Sequence, residues 1–169
     1  DQLLNQASKL HYVFGNQARC PLVLRTPAGG GRSYGSTHSQ SLEAWFLHIP
    51  GIKVAVPSTP ADAYGLLKTA IRDDNPVLFV EHKMLYSRRG MVDDSPEAMV
   101  PFGKARRVTE GEDLTIVAWS WMAAEAEAAV TELNKAGVSA ELIDCRTLAP
   151  LDIVTILESV EATGRVLIV

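Results

Sequence analysis

Four histidines are the side chains of this 169-residue sequence best suited to moving protons near neutral pH, and His38 is the best placed of them. It lies in T-H-S-Q-S-L-E-A-W-F, directly after the run R-T-P-A-G-G-G-R-S-Y-G-S. The spacing of Thr37 and Gln40 has the form of a capping box, with Ser39 or Ser41 as alternative caps. His38 is therefore expected at the start of a helix, on the C-terminal side of a parallel strand. Open α/β sheets bind ligands at that edge. A histidine there can hydrogen-bond a developing oxyanion or shuttle a proton. A histidine that only caps the helix, satisfied by backbone, is the commoner outcome for such a position. His11 and His48 fall on helical patterns and read as surface or interface residues. His82 follows an apolar strand and can line the same edge as His38.

Other residues offer weaker chemistry. Gly29-Gly30-Gly31-Arg32 invites a phosphate-loop reading but matches neither GxxxxGK[ST] nor a G-x-G-x-x-G leading from strand to helix. Three glycines instead allow backbone or substrate to approach closely. There is no HExxH and no paired Cys/His spacing for a transition metal. Ser39 and Ser41 lack the G-x-S-x-G elbow of a hydrolase. Asp73, Asp74 and Asn75 could offer oxygens to a hard cation, although residue type alone favours a solvated helix end. Asp144 and Asp152 flank Arg146 and read as ion pairing and capping.

The elements that would position these residues follow a βαβ rhythm. Residues 1–14 have helical apolar spacing and end at Gly15-Asn16. Pro21 to Thr26 reads as a strand covered on both faces, and 27–36 as loop. A helix carrying Leu42, Trp45, Phe46 and Ile49 inward follows, then a strand over 52–56. Thr59 as N-cap, Pro60 at the first helical position and Asp62 at the third announce another helix. Its apolar positions are Ala63, Leu66, Leu67, Ala70 and Ile71, and a strand over 77–81 follows it. The pattern breaks over 83–103. A second unit then has strands at 114–120, 138–144 and 165–169, an alanine-rich helix at 121–136 ended by Gly137, and a short helix from Pro150-Leu151-Asp152. The fold class is α/β, with parallel sheets and right-handed crossovers.

Hydrophobic residues make up 47% and charged residues 21% of the chain, enough for a real core. The net charge of −4 and a pI near 5.5 argue against nucleic acid or an anionic membrane as partner. No apolar run approaches the roughly 20 residues of a membrane span, and the first residues do not resemble a signal peptide. Cys20 and Cys145 have no CxxC companion, and read as reduced and buried near strands of a cytosolic protein. The chain starts without Met and ends on an apolar strand, so it reads as a piece of a longer protein.

T-H-S-Q-S-L-E-A-W-F, H-I-P-G-I-K-V-A-V-P-S-T-P, G-L-L-K-T-A-I-R-D-D-N-P-V-L-F-V-E-H-K and L-I-D-C-R-T-L-A-P-L-D occur in register along the chain. Together they resemble the beta subunit of the thiamine-diphosphate-dependent 2-oxoacid dehydrogenases, of pyruvate, acetoin or branched-chain type. The resemblance covers essentially the whole chain. It implies a transketolase-like fold, with a pyrimidine-binding domain over 1–87, a linker over 88–103 and part of a transketolase C-terminal domain over 104–169. It implies decarboxylation of a 2-oxoacid (or cleavage of acetoin) with acyl transfer to a lipoyl group, pyruvate or acetoin being favoured over branched-chain acids. The implied partners are an alpha subunit in an α2β2 heterotetramer and a lipoyl-bearing acyltransferase. The alpha subunit would hold the diphosphate of thiamine diphosphate and its Mg, and the beta subunit the aminopyrimidine. His38 matches the family's active-site histidine. Leu22, Val23, Ala70, Asp73 and Asn75 match a structural potassium site built largely from backbone carbonyls. The glutamate that activates the cofactor, and the other cofactor-binding residues, would lie upstream of Asp1. The chain is thus expected to be truncated at both ends and inactive alone. The implied compartment is bacterial cytoplasm, or the mitochondrial matrix in a eukaryote. The alternative is a non-catalytic fragment or interaction module of the same fold.

Overall fold

The computed structural model describes residues 1–169. It holds two four-stranded sheets. The first contains β1 (Val23–Ala28), β2 (Lys53–Ala55), β3 (Val77–His82) and β7 (Thr147–Ala149), in the order β1-β3-β2-β7. β1, β2 and β3 run parallel, and β7 pairs antiparallel with β2. The second sheet contains β4 (Arg106–Thr109), β5 (Leu114–Ala118), β6 (Ala140–Asp144) and β8 (Val166–Ile168), in the order β4-β6-β5-β8. β5 is parallel to both β6 and β8, and β4 is antiparallel to β6. Parallel pairing builds the body of both sheets, as expected, and each sheet adds one antiparallel edge strand. β4 and β7 are short and carry no apolar run, so neither announces itself in the sequence.

β3 organises the first half. Its residues Val77, Leu78, Phe79 and Val80 are all buried, as a central parallel strand requires. Leu78 and Val80 pack with Ala28, Ile52, Val54 and Val56 on one face, against Phe46 and Ile49 of the segment that includes helix α2 (Glu43–Leu47). Val77 and Phe79 pack with Ala55, Leu66 and Ala70 on the other face, against helix α3 (Pro60–Ile71). Period-two alternation along one strand thus divides two cores. The hydroxyl of Thr59 accepts the Asp62 amide at 3.1 Å, with Pro60 opening the helix, as its sequence announces.

Other local expectations are corrected. The N-terminal helical stretch is interrupted at Ser8-Lys9, leaving Gln2–Ala7 and a short α1 (Leu10–Val13). Trp45 points outward at 69% exposure, because α2 is a single turn and only Phe46 faces the sheet. Ile71 is exposed at the end of α3. In the second half, α4 (Ser120–Lys135) packs Ala123, Ala126 and Val130 against Ile116, Ala118, Ala140 and Leu142. Helix α5 (Ile153–Thr163) starts on Asp152, whose carboxylate caps it by accepting the Thr155 amide.

Residues 88–103 lie along α3. Lys68 donates to the carbonyls of Ser95 at 2.6 Å and Pro96 at 3.0 Å, and the Thr69 hydroxyl donates to that of Val100 at 2.7 Å.

Candidate functional site

The C-terminal ends of β1 and β3 lie side by side, with Ala28 opposite His82. From there the chain leaves β1 into the glycine loop and leaves β3 into a short 3-10 turn, Lys83–Ser87. Gly29 and Gly31 have positive φ, at 83° and 87°. A Cβ on Gly29 would lie 1.9 Å from Nε2 of His82, and one on Gly31 2.9 Å from the Met84 sulfur. The glycines therefore serve close approach to the His82–Met84 segment beneath them. This agrees with the expectation of a loop that needs small residues.

His38 closes a second 3-10 turn, Ser36–His38, and is exposed. It does not start a helix. The next helix begins at Glu43, with Leu42 at its cap and no side-chain capping bond, so the capping-box expectation is corrected. The run Ser39 to Ser41 is a bend and irregular chain, held where the Gly29 amide donates to the Gln40 carbonyl at 2.9 Å. The His38 ring makes no hydrogen bond within the chain, whereas its carbonyl accepts the Lys83 ammonium.

His82 does line this edge. Its Nδ1 accepts the Met84 amide at 3.2 Å, and its ring stacks on Trp121 with centroids 5.9 Å apart. Burial, helped by the charge of Lys83, pushes its pKa down from 6.5. Beside it, a cleft of about 180 Å³ is lined by Ser58, Thr59, Glu81, His82, Tyr86 and Arg88. Arg25 pairs with Glu81 at 2.6 Å, and the Tyr86 hydroxyl donates to Glu81 at 3.1 Å. Burial and the neighbouring Glu81 raise the Tyr86 pKa.

The residues expected at a cation site come together in one corner. Leu22 and Val23 head β1, Ala70 sits in the last turn of α3, and Asp73–Asn75 form the turn into β3. The Leu22 carbonyl accepts the Val77 amide at 2.8 Å, and that of Ala70 accepts the Asp73 amide at 3.2 Å. Asp73 accepts the Asn75 amide at 2.9 Å and its side-chain nitrogen at 3.0 Å, and also receives the Lys53 ammonium. Burial alone would raise the Asp73 pKa; the bonds from Lys53 and Asn75 outweigh it and lower the value. By type these oxygens suit a hard cation, but Lys53 already supplies one positive charge to the carboxylate.

Sequence reasoning missed Lys83 and the bed formed by His82 and Met84. The signal was the E-H-K sequence ending β3, which places a cation and an imidazole at the strand edge. Asp144, by contrast, behaves as the expected structural carboxylate. It is fully buried, accepts the Ser58 hydroxyl and pairs with Arg106 at 3.1 Å. Both cysteines are free; Cys145 is buried and its thiol is pushed up to about 12 by burial and by Asp144 and Asp152, while Cys20 is half-buried.

The family model of the transketolase pyrimidine-binding domain matches residues 2–89, and that of the transketolase C-terminal domain matches residues 103–169. The chain belongs to the transketolase family. Among solved structures, a split-gene transketolase described as an inactive beta4 tetramer superposes with a TM-score of 0.74 at 25% identity, covering 96% of this chain and 53% of that one. A transketolase variant from Pichia stipitis shares the fold, with a TM-score of 0.67 at 17% identity, covering 96% of this chain and 26% of that one. Curated relatives bear out the resemblance to 2-oxoacid dehydrogenase beta subunits. The beta subunit of acetoin:2,6-dichlorophenolindophenol oxidoreductase from Cupriavidus necator is 49% identical over all of this chain and 50% of its own length. The pyruvate dehydrogenase E1 beta subunit of Rhizobium meliloti is 44% identical over all of this chain and 37% of its own. The 2-oxoisovalerate dehydrogenase beta subunit of Bacillus subtilis is 44% identical over all of this chain and 52% of its own. The chain thus spans about half the length, or less, of the curated relatives it matches. Relatives include mitochondrial proteins as well as bacterial ones. No helix is long and apolar enough to cross a membrane.

Proposed function

We propose that this chain forms part of the beta side of a thiamine-diphosphate-dependent dehydrogenase that decarboxylates pyruvate (or cleaves acetoin) and passes the acyl group to a lipoyl group. The observation that carries this reading is the 49% identity, sustained over the whole chain, to an acetoin oxidoreductase beta subunit. His38, exposed at the edge where open α/β sheets bind ligands, gives that likeness a chemical centre.

The residues of this chain do not by themselves make a cradle for thiamine diphosphate and Mg. No three His, Cys, Asp or Glu side chains converge as a metal site, and the glycine loop lies on His82 and Met84 instead of opening a helix. The reading therefore gives the diphosphate and Mg to an alpha subunit in an α2β2 assembly. It also assigns the Leu22, Val23, Ala70, Asp73 and Asn75 oxygens to a structural potassium ion.

This chain's contribution is proton handling. The His38 imidazole has both nitrogens free of partners in the chain. An N–H of the ring can hydrogen-bond an oxygen on which negative charge builds, and the protonated ring can deliver a proton that the neutral ring later recovers as a base. In the assembled enzyme, His38→Ala should slow reductive acylation of the lipoyl group by roughly 10²–10⁴-fold while leaving assembly intact. Unchanged acylation by the assembled variant would remove His38 from the mechanism.

A further inference from the structure

The loop that carries His38 is closed at its neck by a side chain from the turn that follows β3. Lys83, the first residue beyond β3, is half-buried. Its ammonium donates to the Gly29 carbonyl at 3.0 Å and to the carbonyl of His38 itself. The same nitrogen lies 5.8 Å from the centroid of the Tyr34 ring, within cation–π range. Gly29 opens the loop, His38 stands near its far end and Tyr34 lies between them. One cation therefore touches the loop at three points. Arg32, also in the loop, reaches back to the Lys83 carbonyl at 3.4 Å. A lysine that merely solvated the surface would not collect two carbonyls that lie 54 and 45 positions away in the sequence.

The loop has little else to define it. Its turn Ser36–His38 holds no buried residue, and it ends in no capped helix. The Gly29 amide bonds the Gln40 carbonyl at 2.9 Å, which closes the neck without orienting the tip. Because the Lys83 ammonium binds the backbone of His38, it leaves the imidazole free while fixing the Cα from which the ring projects. Placement within a fraction of an ångström is what proton transfer demands of such a group.

We propose that Lys83 is the positioning residue for His38, its ammonium holding the glycine loop so that the imidazole faces the ligand edge of the first sheet. This rests on the reading of His38 as the proton-transfer residue. The test uses Lys83→Met, which keeps the stem and deletes the charge, and Lys83→Arg, which keeps the charge. Hydrogen–deuterium exchange of the chain should show amides 30–38 of Lys83→Met exchanging about tenfold faster, the size expected for a lost charge-assisted hydrogen bond, with α3 and β3 unchanged. Lys83→Arg should recover part of the protection. In the assembled enzyme, kcat of Lys83→Met should fall about tenfold with KM little changed, and the Lys83→Met/His38→Ala pair should be no slower than His38→Ala alone. Unchanged loop exchange overturns the proposal, as does exchange that rises equally in α3 and β3. Rate losses that add independently in the double variant also overturn it. If His38→Ala alone leaves turnover intact, the proposed role of His38 fails, and loop exchange still decides whether Lys83 is the tether.

Discussion

His82 carries a chemical commitment that its neighbours impose. Its Nδ1 accepts the Met84 amide, so the neutral ring keeps its proton on Nε2, the atom facing Gly29. Burial and the Lys83 charge lower its pKa below 6.5. The folded chain resists protonation there more than the unfolded chain does. The stability that results is present above pH 6.5 and is lost as pH falls through the folded value. Urea unfolding at pH 7.0 and at about 5.5 should therefore show wild type losing more stability on acidification than His82→Gln. Equal losses would show that His82 does not contribute. At this scale the sequence was half legible. His38 is marked by its place after three glycines and before an amphipathic stretch. Lys83 is one cation among 16 lysines and arginines, and only three-dimensional proximity to Gly29, Tyr34 and His38 distinguishes it.

At the scale of elements, α3 shows a contest between propensity and packing. Gly65 lies in mid-helix, where Ala normally stabilises by about 0.5–1 kcal/mol. Here a Cβ would meet the Val100 side chain at 2.7 Å and its backbone nitrogen at 3.1 Å. Overpacking costs about 1–3 kcal/mol and should win. Gly65→Ala is expected to destabilise the chain by about 1 kcal/mol in denaturant titration, and most of that cost should vanish in a Val100→Ala background. A stabilised single variant would show that residues 88–103 do not press on α3. The helix itself was legible through Thr59, Pro60, Asp62 and the spacing of Leu66 and Ala70. The use of Gly65 was not, because it depends on a segment with no periodic pattern of its own. α2 misleads for a related reason: its apolar spacing suits a longer helix, but a single turn can turn only part of that pattern inward, and Trp45 stays in solvent. β4 and β7 escape notice because R-R-V-T and T-L-A are too short to show alternation.

For the whole molecule, the two sheets are bolted together by ion pairs. Asp62 of α3 is buried and takes Arg146 at 3.3 Å and Arg106 at 3.6 Å, both from the second half. Arg146 also donates to the Lys104 carbonyl at 2.7 Å, and Ser58 bonds Asp144 across the same seam. Truncating one partner of a buried pair strands the other, at a cost of about 3–5 kcal/mol. Arg146→Met should therefore destabilise the chain by a few kcal/mol and broaden a single calorimetric transition toward two. A sharp, unshifted transition would show that the seam carries no coupling. Asp144, Asp152 and Arg146 were legible as a structural group, but their partners Ser58 and Asp62 lie more than 80 positions away. The seam has a consequence for the chain as it is made. β2 is paired with β3 on one side, and its other side is completed only by β7, which is synthesised after most of the second half. A nascent chain that has just finished β3 thus presents to its surroundings an unpaired β2 edge, whose Val54 and Ala55 are buried in the finished fold. It keeps that edge open until Thr147–Ala149 emerge and close it, so the first sheet finishes folding on the timetable of the second.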